Sequence, residues 1–343
     1  MHVHGSESFL GLALAGVQVP AVVSLQGIAR AIRSHLFAGL TASELPWVVA
    51  DWAFLHGYGL LHDAARYEKR AKIERRVLAS CNHFMGRTEW DRSVLLALRP
   101  DAHYHHAGEV LNEVFYDHPW GRATAAGSVV FTTSGSSPVK GLETLIEAVS
   151  VLRRRRGVVP RLRIAGAVES GSLWPMLRRR LRAAGLGHTV EMLGALPPDA
   201  VLRELRNAAV FVHPSHIDNS PNSLCEAMLV GVPCAASFVG GIPSLVEDGA
   251  TGLLFHDRDP FMLAAVIDRL LSDHDLAERL GRAARTEALM RHDPERVAHE
   301  VAEVYAEVTS TWPIPRQGPT KAGSGLTQPS GLSRSSQESS RLP

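Results

Sequence analysis

The stretch Phe211–Gly249, FVHPSHIDNSPNSLCEAMLVGVPCAASFVGGIPSLVEDG, decides how this chain is read. Its apolar start predicts a strand ending at His213-Pro214, then a polar turn through Asp218-Asn219-Ser220-Pro221, then a helix from Asn222 or Ser223. Gly231, just before Pro233, marks the end of that helix. The first N–H groups of such a helix have no intrahelical acceptor and sit at the positive end of the dipole, so an anion of diphosphate size fits in the turn. Asp218 precedes the turn and Glu226 lies about one helical turn inside. A carboxylate has two acceptor oxygens and can take the vicinal hydroxyls of a ribose or a sugar ring. The bland alternative is local: Asp218 caps the helix, and Glu226 is a first-turn acid favoured by the dipole.

Outward from this stretch, residues 128–311 alternate strand and helix with short polar joints, the pattern of a parallel sheet covered by helices. Strands are expected at Ser128–Thr132, Leu162–Ala165, Val190–Leu193, Val210–His213, Cys234–Ser237 and Gly252–Phe255. Helices are expected between them and at Pro260–Leu271, Leu276–Met290 and Pro294–Val308. Ligands of such sheets bind beyond the carboxyl ends of the strands, where Ser134, Gly135, Lys140, Gly166 and the segment Asp218–Glu226 would gather. Ser134-Gly135-Ser136-Ser137-Pro138-Val139-Lys140-Gly141 is a small-residue loop opening a helix at Leu142, with Lys140 as a point charge for phosphate or simply an exposed lysine.

The spacing of Asp218, Glu226-Ala227-Met228, Gly231-Val232-Pro233, Gly240-Gly241-Ile242-Pro243 and Asp248-Gly249-Ala250-Thr251-Gly252-Leu253-Leu254 resembles the retaining glycosyltransferases of family 4, also called group 1. Gly86-Arg87-Thr88-Glu89-Trp90-Asp91-Arg92 and Asn219-Ser220-Pro221-Asn222-Ser223 resemble signatures of one branch of that family. The resemblance implies a GT-B fold, two Rossmann-like α/β halves facing a cleft. It also implies transfer of a sugar from a nucleoside diphosphate sugar to a carbohydrate or lipid-linked acceptor, as in polysaccharide or glycoconjugate biosynthesis. By resemblance Lys140 and the backbone of Ser220, Pro221, Asn222, Ser223 and Leu224 hold the diphosphate, Asp218 the donor sugar and Glu226 the ribose. Ser134, Gly135 and Gly166 line the same pocket, and His4, Gly5, Gln26 and Arg87 the cleft or acceptor side. Three positions depart from the family: Asp218 stands where a Glu is usual, Gln26 where a His is usual, and Gly135 and Ser134 where an Arg often precedes the Lys.

The resemblance covers His2 to about residue 309 and enters partway through the family's first domain. The expectation is a partial acceptor-side half at 1–118, a linker at 119–127, a nucleotide-sugar half at 128–311 and a disordered Ser/Gly/Pro-rich tail at 312–343. If a partial first half cannot form an acceptor site, the chain binds nucleotide sugar without catalysing transfer. An NAD-dependent oxidoreductase would need a Gly-x-Gly-x-x-Gly turn, which Gly11–Gly16 does not supply.

With 343 residues, 45% hydrophobic, 21% charged and a formal charge of +1, the chain is large enough for two packed domains and lacks the basic excess of a nucleic-acid binder. Three cysteines, Cys81, Cys225 and Cys234, at no metal-like spacing fit reduced thiols, and no leader or spanning run is expected, so the reading is cytoplasmic. The basic runs Arg153–Arg156 and Arg178, Arg179, Arg180 and Arg182 read as solvated helix ends, with weak peripheral contact to anionic lipid as the alternative. Arg87, Asp91 and Arg92 fit an interdomain ion-pair network or contact with substrate, and the structural reading is preferred. His103-Tyr104-His105-His106 lies on an extended segment whose alternate residues face opposite sides, and no carboxylate or cysteine in sequence completes a set, so no metal is expected.

Overall fold

The computed structural model describes residues 1–46, 59–121, 128–135, 137–156, 160–166 and 173–312. Its first sheet is fully parallel, in the order β1 (His2–His4), β2 (Val22–Ser24), β3 (His83–Gly86), β4 (His103–His106). The second is parallel too: β5 (Val129–Thr132), β6 (Arg161–Ala165), β7 (Val190–Gly194), β8 (Val210–His213), β9 (Cys234–Ser237) and β10 (Leu253–Phe255) pair in the order β10-β9-β8-β5-β6-β7. Strands buried on both faces read as unbroken apolar runs, and every residue of β5, β8, β9 and β10 is buried. The order reverses direction beside β5 and β8, and loops from both strands meet at such a switch point.

The expected strands of the second sheet appear within a residue of the positions read from sequence. The last three helices run Pro260–Ser272, His274–Arg291 and Pro294–Ser310, each started by an aspartate side chain: Asp259, Asp273 and Asp293. Residues Phe9–Gly16 form a 3-10 helix. The linker expected at 119–127 is described only to residue 121, and of the expected tail only Trp312 lies inside the described residues.

Both sheets lie in one compact unit, Met1–Thr311. Leu36 and Leu60, from the helical region after β2, belong to the same core as Leu142, Leu145 and Ile146 on the helix after β5. The Pro294–Ser310 helix returns to the first sheet, where Val304 and Val308 pack with Val22, Met85 and Ala107. The switch point of the second sheet therefore faces strand ends of the first.

Candidate functional site

Lys140 is positioned by a glycine. The 3-10 turn Pro138–Lys140 is followed by Gly141 at φ 62°, where a Cβ would lie 1.9 Å from the carbonyl oxygen of Pro214. No other residue allows so close an approach at that dihedral. The loop after β5 thus lies on the end of β8, and the His216 amide donates to the Val139 carbonyl at 2.8 Å. Lys140 Nζ consequently reaches Asp218 Oδ2 at 2.7 Å. The fully buried His213 brings Nε2 to 3.2 Å from the same oxygen, although misaligned for a hydrogen bond. Burial opposes the Asp218 charge, but the His213 ring and the Lys140 ammonium outweigh it and hold the carboxyl well below the usual range.

The Asp218–Asn219 turn is clamped by the Gly240-Gly241 turn. A Cβ at Gly240 would meet the Asp218 carbonyl oxygen at 2.0 Å, and one at Gly241 the Asn219 carbonyl oxygen at 2.2 Å. On its other side Asn219 is buried against the first half of the chain. Its Nδ2 donates to Asp91 Oδ2 at 2.9 Å and to the Leu25 carbonyl at 3.3 Å, while its Oδ1 accepts from Thr88 Oγ1 at 2.6 Å. Thr88 and Asp91 form the capping box that starts the Glu89–Leu98 helix. The two branch motifs therefore meet as one buried network.

The capping alternative for Asp218 and Glu226 does not hold. The Asn222–Val230 helix starts after Pro221 with no side-chain cap and no acid in its first turn. Among the described residues the amides of Asn222 and Ser223 have no intramolecular acceptor, so they point donors out of the helix start. Leu224 departs from expectation: its amide is already bonded to the Pro221 carbonyl at 3.0 Å and its side chain is core. Glu226 is pushed up to about 7 by burial and then by the nearby charge of Glu109, so its charged neighbour is that acid rather than Lys140.

Glu109 was not visible in the sequence reading. It pairs with Arg87 and also lies within 3.4 Å of Asn222 Nδ2, linking the start of the helix to the first half. Arg87 keeps this ion pair and also lines a 240 Å³ cavity with His4, Gln26, Glu109, Val297 and Val301; Gly5 does not line it. Asp91 and Arg92 remain structural, the latter in an exposed pair with Glu89. Ser134 is buried and bonded to Thr132, and Gly135 lies against the carbonyl of Gly166, itself at φ 76°. Ser136 is outside the described residues.

Arg180 is not a solvated helix end. It pairs with Glu44 at 2.6 Å and lines a 480 Å³ cavity with Gly39, Glu44, Glu143 and Arg258, away from Lys140 and Glu226. Arg153 does serve a helix end, donating to the carbonyl of Ala184, the C-cap of the Trp174–Ala183 helix, at 3.1 Å. All three cysteines are free and buried.

His216, two residues before Asp218, braces the turn. It is fully buried with Nδ1 2.6 Å from Asp257 and Nε2 2.6 Å from Glu143. Burial disfavours its charge, but the hydrogen bonds and charges of Asp257 and Glu143 prevail and raise it to about 9. A folded pKa above the unfolded value means the protonated ring stabilises the fold fully below about pH 6.5, and this is lost as pH rises through 9. Denaturant titrations should show a fall on the order of 3 kcal/mol between those limits. His216→Gln should be less stable at pH 7 and show a much flatter profile; an unchanged slope would remove the imidazolium from the account.

Residues 126–287 match the family described as Glycosyl transferases group 1. The D-inositol 3-phosphate glycosyltransferase of Corynebacterium efficiens is 30% identical over 177 residues, 50% of this chain and 41% of that protein. The putative colanic acid biosynthesis glycosyltransferase WcaL of Salmonella typhimurium is 33% identical over 176 residues, 49% of this chain and 42% of its own. The chain thus spans about two fifths of the length of these curated relatives. Among solved structures, sucrose-phosphate synthase from Thermosynechococcus elongatus superposes with a TM-score of 0.73 at 19% identity, over 90% of this chain and 73% of that one. HepE of Anabaena, solved in complex with UDP and glucose, superposes with a TM-score of 0.60 at 18% identity, over 90% of this chain and 100% of that one. The fold is that of GT-B glycosyltransferases, and residues 126–287 resemble the group 1 glycosyltransferases.

Proposed function

We propose that this chain binds a nucleoside diphosphate sugar at the start of the Asn222–Val230 helix and transfers the sugar, with retention at the anomeric carbon, to a carbohydrate or lipid-linked acceptor. The observation that carries the reading is an uncapped helix start flanked by two cross-chain charges, Lys140 on Asp218 and Glu226 one turn in. The structure of HepE in complex with UDP and glucose, and the sequence similarity to a D-inositol 3-phosphate glycosyltransferase, support the substrate classes, a nucleotide donor and a hydroxylated acceptor.

As the bond to the sugar breaks, charge develops on the departing diphosphate. Lys140 has three N–H donors and can hold Asp218 and a phosphate oxygen together, while the amides of Asn222 and Ser223 take further phosphate oxygens. These donors are pre-set, so this site needs no metal to neutralise the leaving group. Asp218, kept ionised, faces the donor sugar and helps to orient it. No side chain is assigned as a covalent nucleophile. The acceptor would enter through the cavity lined by His4, Gln26 and Arg87. Among the described residues no helix is long and apolar enough to cross a membrane.

The test uses Glu226. Ribose hydroxyls donate to a carboxylate, so only the ionised form accepts both. With its carboxyl at about 7, nucleoside diphosphate affinity measured by calorimetry should rise between pH 6 and 8, approaching tenfold per unit on the acid side. Glu226→Gln should lose most of the affinity and all of this pH dependence. The folded carboxyl is also raised above its unfolded value, so its own contribution to wild-type stability is greatest below about pH 4.5 and falls as pH rises through 7. The variant therefore should not be less stable at pH 8, and is more stable by at most about 3 kcal/mol. Retained affinity with a large loss of stability would make Glu226 structural. Donor-dependent thermal stabilisation with neither sugar transfer nor release, across a panel of nucleoside diphosphate sugars and acceptors, would favour a binding protein over an enzyme.

A further inference from the structure

The sequence offers no partner for the histidines of β4, but the fold brings one imidazole and one carboxylate to them. His83 Nδ1 on β3 lies 3.0 Å from His105 Nε2 on β4, and Glu307 Oε2 on the terminal helix lies 3.6 Å from His105 Nδ1. One ligand atom from each of the three groups falls within 4.8 Å of the other two. His105 is nearly buried, with 9% of its side chain exposed, while the Glu307 side chain is 53% exposed.

The outer nitrogens of both rings decide what stands between them. Thr311 Oγ1 donates to the Glu307 carbonyl at 2.9 Å and lies 3.4 Å from His83 Nε2, so its remaining lone pair faces a protonated Nε2. Without an ion the Glu307 carboxylate beside His105 favours the proton on Nδ1, and its half-exposed side chain leaves that position when it turns to a bound ion. Both assignments leave lone pairs on His83 Nδ1 and His105 Nε2, facing each other at 3.0 Å. Two facing lone pairs repel unless an electron-pair acceptor joins them. Two imidazole nitrogens on one ion at 2.0–2.1 Å lie about 3 Å apart, so a small shift of the rings makes room for it.

We propose that His83, His105 and Glu307 bind a divalent transition-metal cation of the Zn²⁺ class, with water in the fourth position, fastening the terminal helix to the first sheet. Nitrogen and carboxylate ligands on a closed, partly buried set suit Zn²⁺ over Ca²⁺ or Mg²⁺, which prefer oxygen. The site is separate from the donor pocket. His83 begins β3, whereas the cavity on the cleft side is lined from the other end of that strand, by Met85, Gly86 and Arg87. A metal here would set how firmly the returning helix holds the two halves together without touching the sugar chemistry.

The experiment is Zn²⁺ titration of the full chain, free of any histidine tag and stripped of metal, by competition with a chromophoric chelator. Binding of Co²⁺, followed by its visible spectrum, reports nitrogen coordination. One tight equivalent is expected for wild type. His105→Gln and Glu307→Gln should each weaken it by about tenfold or more, and His83→Gln should do the same. His106→Gln, on the opposite face of β4, should leave it unchanged. Thermal melts of the metal-free variants show that each is folded; melts with Zn²⁺ should show a stabilisation that wild type and His106→Gln gain and the other three lack. The proposal is overturned if wild type binds no tight equivalent, or if tight binding survives in both His83→Gln and His105→Gln.

Discussion

Lys140→Met is expected to lower sugar transfer by about 10²–10³-fold, the range for removing one pre-set donor to developing negative charge. The lysine reaches its place because Gly141 lets the loop lie on the Pro214 carbonyl, and at that place it touches Asp218 at 2.7 Å. Its removal acts twice. The departing diphosphate loses a cation, and Asp218 loses its ammonium partner while keeping His213, Ser215 and the Asn219 amide, so its carboxyl moves back up toward the ordinary range. The second effect can be separated with the Lys140→Met, Asp218→Asn pair, which should recover stability and not activity. Steady-state kinetics together with denaturant titration distinguish the two. Near-normal kcat/KM in Lys140→Met would remove the lysine from the chemistry.

Asp91→Ala should carry the largest stability loss, about 3–5 kcal/mol. Asp91 is fully buried and accepts from the Arg87 amide at 2.9 Å, the Thr88 amide at 3.4 Å, Tyr104 Oη at 2.7 Å and Asn219 Nδ2 at 2.9 Å. Deleting the carboxylate leaves the buried amides of Arg87 and Thr88 without an acceptor and reduces Tyr104 and Asn219 to their longer bonds with the Thr88 and Leu25 carbonyls. Arg92→Ala is the control: it removes one side of an exposed pair with Glu89 and should cost less than about 0.5 kcal/mol. Asn219 adjoins Asp218, so Asp91→Ala should also weaken nucleoside diphosphate binding by about tenfold, because the turn loses its anchor in the first half. Equal stability losses in the two variants would mean that the network is only decoration on an otherwise sufficient core.

What could be read from sequence was local. Alternating apolar runs and short polar joints placed the six strands of the second sheet, and Gly231 with Pro233 placed the end of the key helix, because period and chain reversal are encoded within a few residues. The two branch motifs were both noticed, yet nothing in either says that Asn219 is bonded to Thr88 and Asp91, 131 and 128 residues away. The same limit hid Glu109 behind Arg87, Glu44 behind Arg180, and the Asp257 and Glu143 pair around His216. Each is a contact between elements whose relative placement only the packed fold supplies. The capping alternative for Asp218 fails for a related reason: its oxygens are drawn to Lys140 and to its neighbouring Asn219 amide, 3.1 Å away, instead of to the helix start. Rejecting a metal at His103–His106 rested on chain neighbours alone, and His83 and Glu307 come from other elements.

The most direct measurement is a crystal structure of the full chain soaked with the nucleoside diphosphate that binds best in calorimetry. The account predicts phosphate oxygens about 3 Å from Lys140 Nζ and from the amides of Asn222 and Ser223, with both ribose hydroxyls on Glu226. A nucleotide seated in the cavity beside Gly39 and Arg180, with Lys140 and Glu226 untouched, would contradict it.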